Sequence, residues 1–74
     1  MRLSELQTKM VINVNDGKHL GMIVDAEISE EGNINNFTIM SRHFFKRFFK
    51  NEIEFNITVK QIVKIGEDVI LVDL

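Results

Sequence analysis

The sequence predicts an all-β fold, either a small barrel or a strongly curved sheet. Short stretches of alternating apolar and polar residues are separated by turn motifs, and almost no segment has helical periodicity. Seventy-four residues hold one domain with one small core, so we expect a single domain over residues 1–74. Closure into a barrel would remove exposed strand edges, which this chain has no proline to protect.

The first predicted elements are one turn of helix and a short strand. Ser4 and Gln7 have capping-box spacing, but too little helical pattern follows for more than a single turn. Period-2 alternation then predicts a half-buried strand whose apolar face carries Met10, Ile12 and Val14.

An Asp-Gly pair predicts that this strand turns back as a hairpin. Asp16-Gly17 suits a tight turn whose two central residues both have positive φ. The second strand is expected to place one apolar series on a single face. That series is Leu20, Met22, Val24, Ala26 and Ile28. Asp25 and Glu27 share the opposite face in this prediction.

The remaining strands alternate more clearly. A turn at residues 30–33 leads into a strand over Ile34 to Met40, in which Phe37 and Ile39 share a face. The next strand has Ile53, Phe55, Ile57 and Val59 directed inward and Glu52, Glu54, Asn56 and Thr58 directed outward. A closing hairpin has strands around residues 63–65 and 69–73, joined by a turn at residues 66–68.

The most unusual feature is a basic-aromatic segment, residues 42–50, between the third and fourth predicted strands. Its four phenylalanines fall at i, i+1, i+4 and i+5, so they share one helical face and the cations take the other. We therefore expect a short helical or loop excursion here. The candidate partner-binding residues are Arg42, Phe44, Phe45, Lys46, Arg47, Phe48, Phe49 and Lys50. Either the rings plug one mouth of the barrel, or they stay exposed and contact a partner.

Composition narrows the function classes. The formal net charge is −2, unlike the basic footprint of a general nucleic-acid binder. The chain has no cysteine and no N-terminal signal pattern, so we expect a reducing, cytoplasmic location. Its apolar runs are too short to cross a bilayer as helices.

No catalytic or metal-binding pattern is convincing. Ser41 and His43 are close in sequence, but proximity alone does not produce a nucleophile, base and orienting group, so we predict no enzyme. His19 and His43 are expected to be solvated turn or loop residues, and we predict neither a metal nor a cofactor.

Four carboxylates form a predicted acidic patch on the second strand and the turn after it. They are Asp25, Glu27, Glu30 and Glu31. A solvated exterior is the simplest interpretation, because the spacing does not match a calcium loop. The patch also complements the basic-aromatic segment of a second copy, which suggests self-association.

Several motifs resemble a PRC-barrel domain, in its small sporulation-associated YlmC/YmxH branch. They are the opening RLSELQTKMVINVNDGKHLGMIVDAEI, the glycine turn after it and the ending QIVKIGEDVILVDL. The resemblance implies a six-stranded barrel that acts as a non-catalytic adaptor connected with endospore formation. The chain departs from relatives at Thr58-Val59, where they often carry proline and an aromatic residue, and its central segment is poorer in glycine.

The leading hypothesis is a non-enzymatic interaction module that binds a protein partner or a second copy. The alternative is a nucleic-acid or ribosome-associated module, in which the phenylalanines stack on bases and the cations contact phosphates. Peripheral membrane contact through the same segment is a third and weaker hypothesis, because one short helix anchors poorly.

Overall fold

The computed structural model describes residues 1–41 and 53–74. Within them the chain forms one short helix, six strands and one turn of 3-10 helix. The elements are α1 (Leu3–Leu6), β1 (Met10–Asn13), β2 (His19–Ile28), β3 (Ile34–Ser41), β4 (Ile53–Thr58), the 3-10 turn (Val59–Gln61), β5 (Ile62–Ile65) and β6 (Val69–Val72). The predicted all-β class and the six strands are confirmed.

The strands pair in one sheet with the order β4-β3-β2-β1-β6-β5. Neighbours are antiparallel except β1 and β6, which are parallel. Among the described residues no ladder joins the edge strands β4 and β5, so the predicted barrel is not closed there by backbone hydrogen bonds. Both edge strands contribute to the core: Ile57 of β4 belongs to the core cluster, and Ile62 of β5 packs against that cluster.

One face of the sheet carries the hydrophobic core. Phe37 and Ile39 share this face, as predicted, and both are buried. The register places Ile39 opposite Ile23 and Phe37 opposite Ile57. The cluster is completed by Leu6, Val11, Ile70 and Val72. Burial of an aliphatic side chain is worth about 1.5–3 kcal/mol, so this single cluster supplies the main favourable free energy of folding.

The buried face of β1 is opposite to the predicted one. Val11 and Asn13 are buried, whereas Met10 and Ile12 are half-buried on the other face and Val14 lies exposed beyond the strand. The prediction was wrong because both faces of this short strand carry aliphatic side chains. Alternation alone does not determine which of two such faces is covered.

A β-bulge at Val24 divides the second strand into two parts. The register against β3 shifts between Ile23 and Asp25, so the residues beyond the bulge change faces. The prediction of one continuous apolar face on this strand is therefore wrong. Ile23 is buried and Ala26 packs against the core, whereas Ile28 is 62% exposed.

The β1–β2 hairpin is confirmed, but its connection covers residues 14–18 rather than a two-residue turn. The N–H of Gly17 donates to the carbonyl oxygen of Asn13 at 2.8 Å, and the N–H of Lys18 donates to Oδ1 of Asp16 at 2.9 Å. Gly17 has φ 71°, whereas Asp16 does not have a positive φ. The prediction of two central residues with positive φ is thus wrong.

The single helical turn is confirmed, but its predicted cap is not. Helix α1 starts after Arg2 rather than Ser4, and no side chain caps its N-terminus. Leu6 is buried in the core cluster and so ties the helix to the sheet.

Strand β4 confirms most of the predicted inward and outward residues. Ile57 is fully buried and Phe55 packs half-buried against the core. Val59 was predicted to face inward but is 47% exposed, because the chain leaves the strand there and begins the 3-10 turn. The N–H of Thr58 donates to Oε1 of Gln61 at 2.9 Å and stabilises that turn.

The closing hairpin of β5 and β6 is also confirmed. A register shift at Val63 marks a bulge, and this side chain is exposed while Ile65 packs against the core. The Lys9 ammonium group donates to the carbonyl oxygen of Gly66 at 2.7 Å and also to that of Glu67. This contact ties the start of β1 to the β5–β6 turn.

Candidate interaction surface

The face of the sheet opposite the core carries a row of methionines. Met10 is the register partner of Met22, and Met22 is the register partner of Met40. Val69 continues the row on β6, and Glu54 ends it on β4. The three methionines and Val69 each lie next to a buried residue on their own strand, and Glu54 lies next to Phe55, which packs against the core, so the row is on the outer face. The three methionines and Val69 are half-buried, whereas Glu54 is exposed.

A groove of about 350 Å³ runs along this methionine row. Its lining includes all three methionines of the row. The polar groups in the lining come from Gln7, His19 and Ser41. Methionine side chains are unbranched and polarizable, so a groove lined by them adapts to differently shaped apolar groups. The arrangement suits binding of apolar side chains rather than chemistry on a substrate.

The acidic part of the same face lies further along β2 and β3. Asp25 and Glu27 share the outer face, as predicted, and both are exposed. Oδ1 of Asp25 accepts the N–H of Ala26 at 2.8 Å, so this carboxylate also makes a local contact with the backbone. Oε1 of Glu27 accepts a hydrogen bond from Nδ2 of Asn35 at 3.4 Å. The outer face therefore has an apolar area and an acidic area.

The predicted partner-binding residues all belong to the basic-aromatic segment and lie outside the described residues. They are Arg42, Phe44, Phe45, Lys46, Arg47, Phe48, Phe49 and Lys50. His43, Glu52 and the side chain of Ile53 also lie outside them. The ends of the intervening chain are described: Ser41 and Ile53 are register partners at the end of the β3–β4 ladder. Because Ser41 also lines the groove, the chain leaves the sheet at the groove.

The remaining candidate sites have little support in the described part of the chain. His19 is exposed at the first position of β2 and lines the groove, so it is a strand residue rather than the predicted turn or loop residue. Over residues 1–41 and 53–74, no three histidine, aspartate or glutamate side chains are grouped as metal ligands. Neither α1 nor the 3-10 turn approaches the length and apolar character that a membrane-spanning helix requires.

Sequence reasoning missed the methionine row. The signal was present, because Met10, Met22 and Met40 lie on three successive predicted strands. Their alignment depends on a five-residue connection and three register shifts, however, and none of these can be read from alternation.

Comparison with known proteins agrees with this architecture. The family model described as PRC-barrel domain matches residues 1–74. The chain is also 45% identical over 73 residues to a Bacillus subtilis (strain 168) protein named "Probable sporulation protein YlmC", a match that covers 97% of this chain and 90% of the relative. The motifs, the six-stranded sheet and both matches lead to the same conclusion: this chain belongs to the PRC-barrel domain family.

Proposed function

We propose that this protein is a non-enzymatic, cytoplasmic adaptor that binds a protein partner during bacterial sporulation. The link to sporulation rests on the name of the Bacillus subtilis relative, which is similar over nearly the whole chain. The adaptor role rests on the outer face of the sheet, which offers apolar contact area beside exposed carboxylates. Rigid strands hold both areas in constant positions, as a binding surface requires.

The observation that carries the proposal is the position of the groove. Ser41 lines it and is the register partner of Ile53, so the basic-aromatic segment connects two strand ends at the rim of an apolar groove. Aromatic side chains and arginine are the residues that most often dominate binding energy at protein interfaces. We propose that the eight candidate residues of segment 42–50 act together with this rim as the partner-contacting surface.

The aromatic and the basic residues of the segment would have different roles in binding. Phe44 and Phe48 would supply buried apolar area in the contact, whereas Lys46 and Arg47 would attract an acidic partner and orient its approach. Self-association through the acidic patch of a second copy would use the same cations.

The exposed carboxylates argue against the nucleic-acid alternative. Asp25, Glu27 and Glu54 all lie on the outer face and are exposed. They would repel phosphates brought to that face by the cations of the segment.

The proposal is tested by capture from sporulating cells. The tagged chain should retain a discrete protein partner in a nuclease-treated extract, and Phe44→Ser/Phe48→Ser should lose it. Val59→Ser is the matched control, because Val59 is an exposed apolar residue remote from the segment in sequence. Capture of ribosomes or RNA that disappears after nuclease treatment would favour the nucleic-acid alternative.

Thermal melting of the same purified variants separates contact from folding. A double variant that melts near the native temperature and has lost its partner supports the contact surface. A large drop in melting temperature with unchanged binding per folded molecule would instead support rings that plug the barrel. Lys46→Glu/Arg47→Glu should mainly slow association and reduce its salt dependence.

A further inference from the structure

The outer face has a charge arrangement that fits a second copy of the same face. Along the methionine row, the β4 edge ends in the carboxylate of Glu54. Towards the β5 edge, the neighbouring row contains Ile12, Leu71 and Lys64, which are aligned across β1, β6 and β5. Along these two rows, the outer face is apolar in its middle, with the Glu54 carboxylate at one edge and the Lys64 ammonium group at the other.

The apolar middle is broad enough to matter energetically. The row from Glu54 to Val69 crosses five strands, and at roughly 4.8 Å between strands it is about 19 Å long. In the described part of the chain, the substantial contacts between elements are those of sheet neighbours and of β3 with the 3-10 turn, so no second layer covers the row there. Contiguous half-exposed apolar side chains of this kind usually mark a contact surface.

We propose that two copies associate through this face about a two-fold axis that runs parallel to the strands, between β1 and β2. These strands are the middle pair of the sheet order, so the rotation lays β4 of one copy over β5 of the other. Met22 of one copy then meets Met10 of the other at the centre. Each Glu54 faces the edge that carries Lys64 of the second copy, which gives two ion pairs for each dimer.

The charges select this axis over the other face-to-face arrangement. A two-fold axis perpendicular to the strands would lay β4 over β4 and bring the two Glu54 carboxylates together, which is unfavourable. With the parallel axis, Lys64 lies two residues along from the methionine row. That offset is roughly 7 Å at about 3.4 Å per residue, and the flexible lysine side chain can span much of it. The interface covers the methionine row that lines the groove, so it shares the outer face with the partner surface proposed at the Ser41 rim and segment 42–50.

The first test measures the mass of the full-length chain by sedimentation over a wide concentration range. The native protein should show a monomer–dimer equilibrium. Met22→Glu should abolish the dimer and leave a folded monomer, because it puts a charge at the centre of the apolar contact. A native chain that stays monomeric at every concentration overturns the proposal. So does a Met22→Glu variant that unfolds as a monomer, because the face would then be covered within its own chain.

The decisive test uses charge reversal, which leaves the core untouched. Glu54→Lys alone and Lys64→Glu alone should each weaken the dimer by roughly tenfold or more, since each puts like charges together at both pairs. When the two single variants are mixed, both pairs become attractive again, so a mixed dimer should form with about native affinity. Glu31→Lys is the matched control, because it makes the same charge change in the exposed β2–β3 turn and should leave the dimer unchanged.

The mixing result distinguishes this dimer from other kinds of association. A dimer that forms through another surface would not respond to Met22→Glu, and its defective variants would not rescue each other. Failure of the mixed dimer to form, while both single variants remain folded, overturns the proposed geometry.

Discussion

Gly21 of β2 passes so close to the carbonyl group of Met40 on β3 that any side chain at Gly21 would overlap that oxygen. Gly21 also has φ 136°, a conformation that side-chain-bearing residues rarely adopt. The glycine therefore permits the strand approach on which the methionine row depends, since Met22 and Met40 are register partners one position away.

This contact makes Gly21→Ala a severe substitution. We expect it to lower the free energy of unfolding by about 3 kcal/mol or more, because an unfavourable φ alone costs about 1–3 kcal/mol and the overlap with backbone adds to it. Gly32→Ala is the control, since Gly32 has φ 90° but open space around the position of a side chain. In urea unfolding, the free energy of unfolding of Gly21→Ala should be well below that of Gly32→Ala. Equal losses of stability in the two variants would contradict the close approach of Gly21 to Met40.

The register of β4 is tested by two adjacent residues. Ile57 is fully buried and faces Phe37, whereas Asn56 is exposed on the other face. Ile57→Ala should cost about 2–5 kcal/mol through lost burial and the cavity it leaves. Asn56→Ala should cost well under half as much, because it loses only an exposed hydrogen bond from Oγ1 of Thr38 at 2.9 Å. The reverse order in denaturant melts would mean that the strand is displaced by one residue.

Lys9 is expected to stabilise the β5–β6 turn by charged hydrogen bonds. Its ammonium group donates to the carbonyl oxygens of Gly66 and Glu67. Lys9→Met keeps most of the aliphatic stem but removes these bonds, and we expect a loss of about 1–2 kcal/mol. Lys18→Met, in an exposed connection, should change stability by less than about 0.5 kcal/mol. Faster amide exchange in the β5–β6 turn of Lys9→Met alone would support the assignment.

The β1–β2 connection is joined to the end of the chain through Asn15. Its Nδ2 donates to Oδ1 of Asp73 at 2.7 Å and to the carbonyl oxygen of Leu74 at 3.1 Å. Asn15→Ala should cost about 1 kcal/mol or less, because these groups are exposed. Asn15→Asp should lose more stability than Asn15→Ala at low salt, because it places a second carboxylate beside that of Asp73. The difference in stability between the two variants should shrink as salt is added. A difference independent of salt would contradict the direct contact with Asp73.

The local pattern of apolar, polar and turn residues was sufficient to predict much of the fold. The alternation around Phe37 and Ile39, and again around Ile57, identified buried positions correctly because the adjacent positions on the other face, Asn36, Thr38 and Asn56, are polar. The glycine-containing turns separated the hairpins for the same local reason. The family motifs extended that prediction to six strands.

Tertiary structure decided the features that depend on how the strands pair and on which face of the sheet is covered. Val11 rather than Met10 became buried because both faces of β1 are aliphatic, and the choice depends on which face the rest of the sheet covers. The bulge at Val24 adds one residue to the ladder, and a one-residue shift moves every later side chain to the opposite face.

The same reason explains why the sequence alone revealed the basic-aromatic segment but not the methionine row. The segment is contiguous, so its chemistry is visible in nine neighbouring letters. The row joins Met10, Met22 and Met40 across three strands, and register partners are defined only when the strands have paired. Contiguous residues determine local chemistry, whereas a surface assembled from several strands exists only in the folded sheet.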